Sequence, residues 1–167
     1  MKIFGPVCNG LEKAIENLSS IIVVILTIFI GIEVVSRYLV GRSYGFLEEF
    51  SCWMMVWFSF LSAGVLLRRN QHVRVDVLEN RLSARGKAIL TILSSVTSLI
   101  AGVWFAWAGI LTCINAYKNQ ELSISSLGAP LYFVRLALPI GMVCLAIFSI
   151  ELLSKSVRSF GSLKKGT

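Results

Sequence analysis

Charge is scarce in this sequence. Asp, Glu, Lys and Arg make up 15% of its 167 residues, against 56% hydrophobic. That composition excludes a soluble domain of this size, which needs far more polar surface. No polar stretch is long enough to form a soluble enzymatic domain. There is one histidine, His72. A haem-carrying membrane anchor usually needs two axial histidines, so that class is disfavoured. The four cysteines, Cys8, Cys52, Cys113 and Cys144, include no C-x-x-C pair. A four-helix thiol oxidase is disfavoured in turn, and small packing residues in a membrane are the simpler reading. The net charge of +7 comes from basic residues that flank apolar runs. Anionic lipid and membrane topology explain them better than nucleic acid does.

Long apolar runs dominate the remainder. The run from Phe50 to Leu67 carries no charge, has Glu48 and Glu49 in front of it, and is closed by Arg68 and Arg69. A helix of about 18 residues is ~27 Å long, close to the hydrocarbon thickness of a bilayer. Four such segments are predicted, at about 18–36, 50–67, 88–115 and 130–151. The expected fold is an all-α membrane protein with four transmembrane helices in a single membrane domain, 1–167. LEKAIENL, from Leu11, reads as an amphipathic helix leading into the first span. A cleavable signal peptide is not expected, because the apolar run starts late and no A-x-A-like site follows it. A short amphipathic helix is expected between spans two and three, at about 73–82. Twelve basic residues fall on the side of the termini and four on the other. That bias predicts both termini in the cytoplasm.

Several polar residues at span ends invite two readings each. Glu33 and Arg37 are four apart in the order that favours a helical ion pair; they either pair locally or reach another span or a partner. Glu48 and Glu49 stand where a helix dipole favours anions, and are also candidates for a partner interface. Arg135, one turn inside the last run, either snorkels to headgroups or pairs with Glu33, Glu48 or Glu49. Arg68, Arg69, Arg74 and Arg81 are expected at lipid headgroups on the cytoplasmic side. His72 and Asp76 read as a structural pair. Pro139 should kink the last helix. Ser59, Ser62, Ala63, Gly64, Gly102 and Gly109 offer small surfaces for close helix contact, inside the chain or with a partner.

In order, these features resemble the small membrane subunit of tripartite ATP-independent periplasmic (TRAP) transporters. The features are Arg37 ending span one, Glu48–Glu49 before a Trp-containing span two, Gly64, Arg68–Arg69 with QHVRVDVL, the loop ELSISSLGAP, and LPIG at Leu138 to Gly141. Tyr132, where an aromatic, often Trp, is usual after the loop proline, and the charge Arg135 within span four depart from the pattern. The resemblance implies a bacterial inner-membrane subunit, with no catalytic, metal or cofactor residues of its own. It would brace a large elevator-type membrane subunit, which carries sodium and substrate. A periplasmic binding protein would deliver an organic acid, of sialic acid or C4-dicarboxylate type. Membrane lipids complete the expected partners. A small four-helix exporter acting as a homodimer and a redox-complex membrane anchor are the alternatives.

Overall fold

The computed structural model describes residues 4–69, 84–123 and 128–165. Helix α1 runs unbroken over Phe4–Val35, so the amphipathic lead-in and the first apolar run form one rod. Thirty-two residues make a helix of ~48 Å, longer than a bilayer core is thick. The rod closes in a π-helical turn, Ser36–Val40. Gly41, at φ 70°, ends that turn in the left-handed region where a missing Cβ removes the steric cost. Helix α2 spans Gly45–Arg68 and α3 spans Ala84–Lys118. A short return follows α3, closed by Ser123 N–H donating to the Ala129 carbonyl (2.8 Å) and Leu131 N–H to the Glu121 carbonyl (3.0 Å). Helix α4 is one turn, Tyr132–Arg135, and α5 spans Ala137–Lys165.

The break at Leu136 has a covalent cause. Pro139 has no N–H to give the Arg135 carbonyl four residues back, so the ladder stops there and restarts as α5. Among the described residues four helices are long and apolar enough to cross a membrane: Gly5–Val40, Gly45–Arg68, Ile89–Lys118 and Tyr132–Val157. The expected amphipathic segment, with His72, Arg74, Asp76 and Arg81, lies outside the described residues.

The helices form a row rather than a closed bundle. Helix α5 is central, with α3 along one side and α2 along the other, while α1 packs on α2 and also meets α5, away from α3. In lipid there is no hydrophobic drive to bring helices together, so close backbone approach has to supply attraction. Small residues permit it. Ser95, Gly102, Gly109 and Ala116 recur every seven residues along α3 and are all buried, joined by Ala106. A seven-residue repeat keeps one stripe facing one neighbour. A Cβ added at Gly102 would lie 3.2 Å from the Met142 carbonyl oxygen, and one at Gly109 would lie 2.9 Å from Pro139 Cδ. On the other side of α5, a Cβ at Gly141 would stand 2.5 Å from the Phe60 carbonyl oxygen, and one at Gly64 would stand 3.0 Å from the Phe148 ring. Gly64, Gly102 and Gly109 therefore serve seams within the chain, where the sequence also allowed a partner.

Candidate functional site

Polar side chains gather at the two ends of the row. At the end that holds the termini, Arg68 is the hub. Its side chain is only 9% exposed. Nε donates to Glu151 Oε2 (2.7 Å), Nη2 to Glu151 Oε1 (3.1 Å), and Nη1 to the Cys8 carbonyl (3.0 Å). The same guanidinium reaches the Glu12 carboxylate and the Asn9 side-chain oxygen. Its carbon centre lies 5.5 Å from the centroid of the buried Phe148 ring, a cation–π distance. One planar fork thus ties α1, α2 and α5 together, a task that suits arginine and not lysine. Around it, Arg69 pairs with Glu12 (2.9 Å) and Glu16, and Lys155 with Glu151 (2.7 Å). Three cations meet three carboxylates, so the buried charges are matched.

This arrangement corrects the headgroup expectation for Arg68. An arginine whose donors are all engaged inside the protein offers nothing to lipid. Arg69, about half exposed, keeps a face toward the surroundings. Arg74 and Arg81 lie outside the described residues. The sequence held a signal for this hub. Glu151 is the one carboxylate in the last apolar helix, and a charge at such a position demands a partner. Glu12 and Glu16, one turn apart on the lead-in helix, complete the set.

At the opposite end, Glu33 organises the turn between α1 and α2. Its carboxylate is buried and accepts from Arg37 Nη2 (3.0 Å), Ser43 Oγ (2.6 Å) and the Tyr44 N–H (3.0 Å). Arg37 extends the set to Glu48 Oε2 at 3.4 Å. The local reading of Glu33 and Arg37 therefore holds, with the turn itself as the added partner. Glu49 accepts a hydrogen bond from Ser123, which fastens α2 to the loop after α3. Arg135 pairs with Glu121 (2.6 Å) and not with Glu33, Glu48 or Glu49. The chain's return at Glu121 to Leu131 brings those two groups side by side, a proximity that sequence order hides.

Between α1 and α2 at this end lies an open recess of about 330 Å³. Ile30, Val34, Cys52 and Met55 floor it, and Arg37 and Glu48 stand on its rim. Among the described residues no three potential metal ligands cluster. The polar groups at both ends join helices to helices and loops. That is the chemistry of holding a shape.

Among the described residues, four apolar helices with ion-paired ends define a multi-pass membrane protein. The family described as the DctQ component of tripartite ATP-independent periplasmic transporters matches residues 26–159, and the chain belongs to it. Two proteins of Haemophilus influenzae, each named a putative TRAP transporter small permease protein, are similar. One is 36% identical over 90 residues, 54% of this chain and 56% of that protein. The chain thus spans about half the length of that relative. The other is 25% identical over 149 residues, 88% of this chain and 89% of that protein. The isethionate TRAP transporter permease protein DctMQ of Oleidesulfovibrio alaskensis is 26% identical over 115 residues, 69% of this chain but 18% of that protein.

Proposed function

We propose that this chain is a non-catalytic scaffold, the small permease subunit that holds a large elevator-type membrane subunit in place during uptake. The observation that carries the reading is the open row α1–α2–α5–α3, made rigid by the Arg68 hub at one end and the Glu33 turn at the other. A row has broad faces, and a rigid row suits bracing a partner that moves. The DctMQ relative supports the partner assignment, because the region similar to this chain is a small fraction of a much longer permease. The transported compound is an organic acid, the expectation from family resemblance, brought by a periplasmic binding protein. Coupling sodium sits on the large subunit. Arg69, Arg74 and Arg81 contact lipid headgroups on the cytoplasmic side.

Both termini face the cytoplasm in this reading, as the twelve-to-four distribution of basic residues favours. A cysteine introduced at Asn119 should react with an impermeant maleimide applied from the periplasm, and one at Asn70 should not. The reverse pattern overturns the orientation. Affinity purification of the tagged chain in mild detergent should bring the large subunit with it in a fixed ratio. Recovery as a stable homodimer that exports a compound unaided would favour the exporter reading instead.

A further inference from the structure

We infer that the outer face of α3, centred on Trp104 and Trp107, is the surface that docks the large membrane subunit. This inference rests on the scaffold reading and says which edge of the row is occupied. Its basis is two indoles in the wrong place for lipid. Trp104 and Trp107 are 72% and 67% exposed, and both lie near the middle of the Ile89–Lys118 span. Tryptophan favours the membrane–water interface, where its N–H finds water while its rings stay in apolar surroundings. Among the described residues neither indole N–H has an acceptor. At mid-depth in hydrocarbon an unmet donor is unfavourable, and lipid tails offer it nothing.

The other edge of the row makes the contrast. The outward residues of α1 include Val24, Ile28 and Ile32, aliphatic side chains without a donor, as lipid requires. The inner stripe of α3 is already spent on α5, through Gly102, Ala106 and Gly109. The Trp face points away from it and continues along α3 through Ile100, Val103 and Leu111. The occupant that fits is a membrane helix of the large subunit, presenting a hydroxyl or carbonyl acceptor at mid-depth opposite the indoles. Large aromatic anchors near the centre of a patch are also the residues that dominate binding at protein interfaces.

Site-specific photocrosslinking in the assembled transporter tests this. Trp104 is replaced by p-benzoylphenylalanine in one version of the full chain and Ile28 in another, each co-expressed with the large subunit. Position 104 should give a covalent adduct to the large subunit, at least tenfold above position 28. A companion Trp104→Phe, Trp107→Phe variant keeps the rings and loses both N–H donors. It should retain its own folded yield while recovery of the large subunit falls several-fold. If position 104 links only to a second copy or to lipid while the large subunit copurifies, the inference is overturned and the scaffold reading stands. If the wild-type chain does not copurify with the large subunit, the scaffold reading fails and the inference fails with it. Equal adducts at positions 28 and 104 also overturn it.

Discussion

Arg68→Leu is expected to unfold the termini end of the row, lowering stability by about 3 kcal/mol. The low end of the range for a broken buried pair applies, because the neighbouring Arg69 is half exposed and water reaches that part of the cluster. The loss comes from what remains. Among the described residues Glu151, with its side chain 5% exposed, keeps Lys155 as its ion partner, and Glu12 keeps Arg69. Removing both members of the pair should therefore hurt less than removing one. An Arg68→Leu, Glu151→Leu double variant is expected to melt above the Arg68→Leu single variant, because two well-packed apolar groups replace a buried carboxylate left with Lys155 alone among the described residues. Arg68→Lys should fall between wild type and Arg68→Leu, since an ammonium cannot reach three helices at once. Thermal unfolding in detergent, followed by circular dichroism, reads all three. A double variant no more stable than the single one would show that the hub adds nothing beyond separate contacts.

A comparable loss is expected from Gly141→Ala, although it adds one methyl group. The new Cβ would sit 2.5 Å from the Phe60 carbonyl oxygen and 2.7 Å from the Phe60 carbonyl carbon. These are backbone atoms inside α2, so no side chain can rotate to make room. Helices α2 and α5 have to move apart, at a cost of about 1–3 kcal/mol for overpacking, with Val or Leu costing more. Gly109→Ala, meeting Pro139, should follow, and Gly102→Ala should cost less. Gly31 sits on α1 with nothing within 4 Å of its added Cβ. Gly31→Ala should be neutral or slightly stabilising, because alanine is the better helix former. Unfolding midpoints of the four variants give the order. Equal behaviour of Gly141→Ala and Gly31→Ala would contradict the seam.

The architecture was legible because membrane spans announce themselves by length and absence of charge. The run Phe50 to Leu67 lies inside α2, which begins five residues earlier at Gly45 and so takes Glu48 and Glu49 into its first turns. The Glu33–Arg37 pair was legible too, since i and i+4 are neighbours on any helix. What the sequence hid were the long-range pairs. Arg68 finds Glu12 and Glu151, far away in the chain, because α1 and α5 both pack on α2. The order of helices in the row depends on which small-residue stripes meet, and spacing alone does not name the partner stripe. Arg135 met Glu121 for the same kind of reason: the loop after α3 doubles back before α4. Pro139 was expected to disturb the last helix and does so four residues ahead, at the Arg135 carbonyl that it leaves without a donor.

The central claim is that the chain supports transport without touching substrate. The most direct measurement is sodium-driven uptake into proteoliposomes by the large subunit and its binding protein, with and without this chain. The account predicts that omitting the chain abolishes uptake while substrate affinity of the binding protein stays unchanged, and that adding it back restores uptake. Full uptake in its absence would contradict the account.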